Sequence, residues 1–304
     1  TNNNSGAWAS SYVLNGNTGK SRINISDSWV NYYGSNFGQY TLQTVHHEIG
    51  HALGLGHQGN YNGSANYENN AKFTNDSWQS SIMSYFSQSE NTTINASRVY
   101  LMTPSAVDWI ALDDIYSAYS GYGVENAFTG DTIFGFNTNI SSTTSRIWNS
   151  FSSMIRTNAY CLVDGSGNDT LDLSGLISNN NVDLRPTDKT NNLLYTSDIG
   201  GLKGNLHIAA ETYIENCITG SGNDQIIGNI QNNNLLSGSG NDILYGGSGG
   251  DKLAGDNGED NLYGQDGEDN LFGGIDNDNL YGGDNNDFLA GEAGNDHMEG
   301  EQGV

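Results

Sequence analysis

Basic residues are scarce in this chain. Lysine and arginine together number 10 of 304 residues, against 35 aspartates and glutamates, giving a formal net charge of −25 and a pI near 4.1. Such a surface repels phosphate, which excludes nucleic acid and anionic membranes as partners, because binding them needs clustered Lys and Arg. No apolar run approaches the roughly 18 residues that a membrane-spanning helix requires. Cysteine is nearly absent, and Cys161 and Cys217 are too few for a disulfide framework. They are compatible with one pair or with two small buried apolar side chains, and the sequence does not choose. The length suits two domains.

Most of the chemistry present sits in one short stretch. His47-Glu48-Ile49-Gly50-His51-Ala52-Leu53-Gly54-Leu55-Gly56-His57 has the spacing H-E-x-x-H-x-x-G-x-x-H. His47 and His51 stand four apart, so on a helix both imidazoles leave one face and can share a metal ion. Gly54 supplies the positive φ that ends the helix abruptly, and His57 can then approach the ion from another side. Three protein ligands plus a water is the pattern of a catalytic zinc site, whereas structural zinc sites are closed by four. Glu48 is not needed as a ligand and is free to take a proton from a water whose pKa the metal lowers. A bare H-E-x-x-H matches easily as surface polarity; the added glycine and third histidine make that reading poor. His46 has no Glu in register and reads as a solvated residue before the helix.

With this motif the chain resembles the metzincins and, within them, the serralysins. Ser81-Ile82-Met83-Ser84-Tyr85 is similar to the family's Met-turn, in which the methionine forms an apolar floor beneath the zinc ligands. The resemblance implies that Tyr85 is an additional zinc ligand that swings away to hydrogen-bond the tetrahedral intermediate, a donor aimed at developing negative charge. One departure is Gln58, where serralysins commonly carry proline; it leaves the metal chemistry untouched.

The second half of the chain is periodic. From Thr219 it follows a nine-residue repeat, G-G-x-G-x-D-x-U-x with U large and apolar. The sixth position reads Asp224, Asn233, Asp242, Asp251, Asp260, Asp269, Asp278, Asp287 and Asp296, and the eighth runs from Ile226 and Leu235 to Leu289 and Met298. Six residues of glycine-rich turn expose carbonyls and place one carboxylate; three residues form a short strand with its apolar side chain inward. This is the period of a calcium-binding parallel β-roll. Calcium takes six to eight oxygen ligands, which stacked turns provide. A disordered acidic linker is the competing reading, disfavoured by the strict phase, although without ions like charges repel and folding is coupled to binding.

By resemblance to the RTX repeats, each ion lies between a turn and the turn two repeats later. The implied calcium-binding residues are Gly220, Gly222 and Asp224; Ser237, Gly238, Ser239, Gly240 and Asp242; Gly246, Gly247, Gly249 and Asp251; Gly255, Asn257, Gly258 and Asp260; Gly264, Asp266, Gly267 and Asp269; Gly273 and Asp278; Gly282, Asp284 and Asp287; and Gly291 and Asp296. Gln231 and Asn233 depart from the pattern, so the site of their own repeat is expected absent or weak. Asp276 and Asn285 replace the fourth-position glycine but tolerate its left-handed conformation. The resemblance carries one further calcium position onto Phe128, Gly130 and Thr132 with Asp164, Ser166, Gly167 and Asp169, plus Tyr213 and Glu215.

The expected architecture is an α+β metzincin catalytic domain over residues 1–120, incomplete at its N-terminus, followed by an all-β parallel β-roll over 121–304. Gly6 to Val13 resembles the edge strand that pairs with an extended substrate, Asp27 to Tyr33 the next strand, and Tyr40 to Leu53 is the active-site helix. Thr103-Pro104 opens another helix as cap and first residue, running to Tyr119 and ended by Gly121, with no chemistry assigned. His207 and His297 lack metal spacing and read as solvent-facing. Measured against whole serralysins, the chain resembles a partial sequence.

The function implied is that of a secreted zinc endopeptidase with one catalytic zinc and several structural calcium ions. Its implied partners are protein and peptide substrates and a proteinaceous protease inhibitor, it acts as a monomer, and it leaves the cell by type I secretion. Abundant Asn, Ser and Gly with few Lys fit an extracellular protein, where calcium is in the millimolar range. The alternative is a calcium-stabilised binding or adhesion module with a vestigial protease half, disfavoured by the intact set His47, Glu48, His51, His57 and Tyr85. A matrixin-like enzyme is disfavoured by Tyr85 and the repeats.

Overall fold

The computed structural model describes residues 6–14, 17–118 and 123–302. The chain divides into two compact units. One takes residues up to Gly123 together with Thr157–Cys161; the other takes Val124–Arg156 and the chain from Leu162 onward. The excursion of Thr157–Cys161 back to the first unit is not visible in the sequence.

In the first unit, strands β1 (Ala7–Leu14) and β2 (Asn17–Ile25) pair antiparallel, with Ala7 opposite Ile25. Residues 27–33, expected as a strand, form helix α1 (Asp27–Tyr33). The reason is local: the Ser26 hydroxyl accepts the Trp29 N–H as an N-cap. Trp29 and Tyr33 then meet one turn apart, with ring centroids 4.6 Å apart, while Tyr32 turns to solvent. Helix α2 (Tyr40–Ala52) carries the motif. Its buried positions, Gln43, Thr44, Glu48 and Gly50, are polar or small, and two of them bond across the unit. Gln43 Oε1 accepts the Leu101 N–H at 2.8 Å, and Thr44 Oγ1 accepts from Trp29 Nε1 at 3.2 Å.

His46 lies inside α2, half-buried, and burial lowers its pKa; it is not a solvated residue ahead of the helix. Helix α3 (Ala106–Tyr116) is capped by Ser105 rather than Thr103. The Thr103 hydroxyl instead accepts the Cys161 N–H at 2.8 Å. The helix ends at Tyr116, and Tyr119 and Gly121 lie outside the described residues. Leu55, Trp78, Ile82, Met83, Leu101 and Ala159 form the core beneath α2, with Tyr40, Val99, Tyr100, Ala111 and Leu112 packed around them.

The second unit is a roll of two parallel sheets. One runs through Asn181–Asp183, Gln225–Ile227, Ile243–Ser248, Asn261–Asp266, Asn279–Asp284 and His297–Glu299. The other runs through Ile133–Gly135, Thr170–Asp172, Asn216–Ile218, Asn234–Leu236, Lys252–Asn257, Asn270–Ile275 and Phe288–Ala293. Successive repeats alternate between the sheets, so each strand pairs with the strand two repeats on: Leu235 with Leu253, Leu253 with Leu271, Leu244 with Leu262. Ile226, Leu235, Leu244, Leu253, Leu262, Leu271 and Leu280 all point inward at 0% exposure. Each contributes about 1.5–3 kcal/mol of burial. On the other face Tyr245, Tyr263 and Tyr281 stack at centroid spacings of 5.0 and 4.9 Å.

Cys161 and Cys217 are both buried and form no disulfide, which selects packing over pairing. His207 was expected to face solvent. It sits in Leu206–Ile208, where all three residues are buried, and burial lowers its pKa to about 4. His297 is exposed, with Nε2 2.8 Å from Glu299 Oε1.

Candidate metal centre

Helix α2 places His47 and His51 on one face, and the backbone then turns out of the helix at Gly54, whose φ is +103°. The Leu55 N–H closes the turn on the Gly50 carbonyl at 2.9 Å. His57 returns alongside. Its Nε2 stands 3.3 Å from His47 Nε2 and 3.0 Å from His51 Nε2. Among the described residues this trio is the one cluster of three His, Cys, Asp or Glu side chains whose ligand atoms converge within 4.8 Å.

The outer nitrogens decide which atoms are offered to a metal. His47 Nδ1 lies 2.8 Å from the Ile82 carbonyl, and His51 Nδ1 2.9 Å from the Leu55 carbonyl. A carbonyl only accepts, so each Nδ1 carries the proton and each Nε2 presents a lone pair inward. His47 is lowered to about 4, by burial first. Burial lowers His57 as well, with His51 beside it adding to the effect. With His57 Nε2 also unprotonated, lone pairs crowded at 3.0–3.3 Å repel one another unless a cation sits between them, and imidazole is a donor suited to zinc. The residues therefore fit a zinc ion.

Glu48 is buried at 6% exposure, and burial pushes its carboxyl up to about 7. Its Oε2 has no protein partner. Tyr85 stands over the centre, its ring centroid 4.5 Å from that of His57 and 5.8 Å from that of His47. Its hydroxyl accepts the Gly63 N–H at 3.4 Å. Met83, at 2% exposure, lies under Gly50 of the helix.

Sequence reasoning missed three supporting residues. Tyr61 stacks on His57 at 5.5 Å and donates its hydroxyl to the buried Asp76 at 3.0 Å. Asp76 also accepts from Ser84 Oγ at 2.7 Å. Asp108, in the helix to which no chemistry was assigned, accepts from Ser81 Oγ and from the Ile82 N–H. The Ser105–Asp108 spacing of a capping box was the one available signal.

In the roll, the sixth-position carboxylates form two columns. From Asp242 onward each offers Oδ1 to the backbone N–H of the residue 18 positions earlier: Asp242 to Asp224 at 2.7 Å, Asp260 to Asp242 at 2.8 Å, Asp269 to Asp251 at 2.7 Å. The Oδ2 atoms of Asp224, Asp242, Asp251, Asp260, Asp269, Asp278 and Asp287 are buried without a protein partner. The first-position glycines leave room beside them; a Cβ at Gly255 would stand 2.2 Å from Asp260 Oδ2, and one at Gly264 2.3 Å from Asp269 Oδ2. Burial raises Asp242 to about 6, and Asp251 and Asp260 to about 7. Asp276 and Asn285 hold φ of 85° and 83°, the left-handed conformation expected of them.

Asn233 behaves differently from its neighbours. Its Oδ1 accepts the Asn229 N–H at 2.8 Å, and its Nδ2 donates to the Glu215 carbonyl at 3.0 Å. Before the repeats, Thr129 bridges Ser166, which brings 128–130 beside 164–167. Asp164 and Asp169 each keep an unpartnered buried Oδ2, and Thr132 N–H donates to Asp169 Oδ1 at 2.7 Å. Glu215 Oε2 accepts the Asp169 N–H at 2.8 Å. Tyr213 lines a cleft of about 870 Å³ with Arg185 and Tyr245.

A three-histidine centre on a helix with a sharp exit, floored by a methionine loop, defines the metzincin class, here in a chain that also builds a parallel β-roll. The match to the family described as Peptidase M10 serralysin C terminal spans residues 124–299, and a Met-zincin match spans residues 35–105. The chain belongs to the serralysin family. It is 42% identical over 197 residues to Metallopeptidase AprA of Pseudomonas marginalis, covering 62% of this chain and 38% of that protein. It is 39% identical over 208 residues to Serralysin C of Dickeya chrysanthemi, covering 66% of this chain and 40% of that protein. A Serralysin of Photorhabdus luminescens is 38% identical over 195 residues, 62% of this chain and 36% of the relative. These matches span about two fifths of the relatives' length. The family implies zinc, and the trio His47, His51 and His57 is able to bind a metal.

Proposed function

We propose that the chain carries the active centre of a secreted zinc endopeptidase, with residues 1–120 as catalytic domain and 121–304 as a calcium-binding roll. His47, His51 and His57 are the zinc ligands, joined by Tyr85 before substrate arrives. The observation that carries this reading is the convergence of three Nε2 atoms within 4.8 Å of one another, beside a buried glutamate with a free oxygen. When bound, the zinc supplies a Lewis acid for the scissile carbonyl and a lowered pKa for water at its open position.

The chain's own residues do the rest. Strand β1 offers main-chain hydrogen bonds to an extended peptide, a mode that accepts many sequences. Glu48 takes the proton of the attacking water and returns it to the leaving amine nitrogen. Tyr85 exchanges its Gly63 contact for the oxyanion as negative charge develops. Substrates are proteins and peptides, with a proteinaceous inhibitor as a further partner; the protein acts as a monomer and leaves the cell by the type I route.

The orphaned carboxylate oxygens of the roll fit calcium, a hard cation that takes oxygen ligands. Asp224, Asp242, Asp251, Asp260, Asp269, Asp278, Asp287 and Asp296, with the turn residues around them, hold these ions between stacked turns. A further ion lies with Asp164, Asp169 and Glu215. The site at Asn233 is absent or weak, because its amide already makes contacts that an ion would supply.

Zinc content measured together with casein hydrolysis, with and without a calcium chelator, tests the reading. One zinc per chain and hydrolysis lost on chelation are expected. Calcium binding without stoichiometric zinc would establish an adhesion module instead.

A further inference from the structure

The hydrogen bonds of His47 lead outward to a group with no part in the reaction steps. His47 Nδ1 donates to the Ile82 carbonyl at 2.8 Å. The Ile82 N–H in turn donates to Asp108 Oδ2 at 2.7 Å. Ser81 Oγ donates to Asp108 Oδ1 at 2.6 Å and accepts the Met83 N–H at 3.0 Å. Residues 81–83 are thereby tied to one carboxylate, which also receives the Ser105 N–H at 2.8 Å in the first turn of α3.

Asp108 is 2% exposed, and its partners are neutral N–H and O–H donors. A buried carboxylate so placed is costly. A helix cap alone does not need it, because Ser105 already occupies the N-cap and a solvated acid serves the first turn as well. What the buried position adds is the pair of bonds to Ser81 and Ile82. Loss of a partner bonded directly to a metal ligand typically weakens metal binding about 10–100-fold; Asp108 acts one step further out, through the residue that is bonded to His47.

We infer that Asp108 is a positioning residue for His47: by holding residues 81–83 in one conformation, it fixes the carbonyl that orients the imidazole. The inference rests on His47 being a zinc ligand.

The test compares Asp108→Ala and Asp108→Asn with the unaltered chain. Zinc dissociation constants come from competition with a chromophoric chelator. The visible spectrum of the cobalt-loaded protein reports ligand geometry, and thermal melts with and without zinc report folding. Asp108→Ala is expected to bind zinc more weakly, by up to the roughly 10–100-fold of a direct partner, with an altered cobalt spectrum. Asp108→Asn keeps an oxygen for Ile82 and Ser105 while the Ser81 hydroxyl turns to accept, so it retains most of the affinity. Should Asp108→Ala fail to fold, Ser81→Ala carries the test, with a smaller loss of affinity in the same direction. Unchanged zinc affinity and cobalt spectrum in a folded variant, or a melt lowered equally with and without zinc, overturns the inference. Absence of stoichiometric zinc from the unaltered chain would instead overturn the reading of His47 itself.

Discussion

The sulfur of Met83 lies so close to Gly50 that a β-carbon on that glycine would stand 2.5 Å from it. Gly50 is the residue before His51, so the buried Met83 side chain and the helix that carries the motif are in direct contact there. Gly50→Ala has helix propensity in its favour, yet it forces the sulfur or the helix to move. Overpacking of this kind costs about 1–3 kcal/mol. A thermal melt of the zinc-loaded protein is expected to show the loss, and a melt raised by the substitution would contradict the packing.

Glu48→Gln removes the carboxylate proposed as the base while leaving the three imidazoles in place. Hydrolysis of casein should fall about 10²–10⁴-fold with zinc content unchanged. Activity within a few-fold of the unaltered chain would remove Glu48 from its assigned role.

Asn233 offers a test of the calcium sites proposed for the roll. An aspartate there cannot donate to the Glu215 carbonyl, a bond the amide makes at 3.0 Å. Asn233→Asp should therefore cost about 1–3 kcal/mol in chelator and bind one additional calcium when the ion is supplied. Calcium stoichiometry by equilibrium dialysis checks it; an unchanged count would mean that this rung cannot hold an ion.

The raised carboxyls of the roll give its pH dependence a definite sign. Asp242, Asp251 and Asp260 sit at about 6 to 7 in the ion-free fold, against an ordinary value of 3.8. Their contribution to ion-free stability is fully present below 3.8 and is lost as pH rises through 6 to 7. In chelator the roll should thus unfold more readily at pH 8 than at pH 5. Calcium needs the deprotonated form, so its midpoint concentration should rise on acidification. Circular dichroism across a calcium titration at the two pH values reads both effects, and opposite slopes would refute the assignment of these carboxylates.

The spacing of His47, His51 and His57 and the nine-residue period were legible because each encodes a local geometry that needs no distant partner. A helix face, a glycine exit and an inward leucine follow from the chain itself. The misread positions depend on what lies across the fold or on a cap overlooked. Ser26 caps residues 27–33 as a helix where the resemblance implied a strand. Thr103 is diverted from capping by the backbone of Cys161, 58 residues away. His207 is enclosed on a strand whose neighbours are also buried. Asp76 and Asp108 acquire their roles from Ser84, Ser81 and Ile82, contacts that no spacing announces.

The central claim is that three imidazoles share one metal ion. Zinc binding by isothermal titration to the unaltered chain and to His51→Ala tests it most directly. The account predicts one tightly bound zinc in the former and binding weakened by orders of magnitude in the latter. Equal zinc affinity in the two proteins would contradict it.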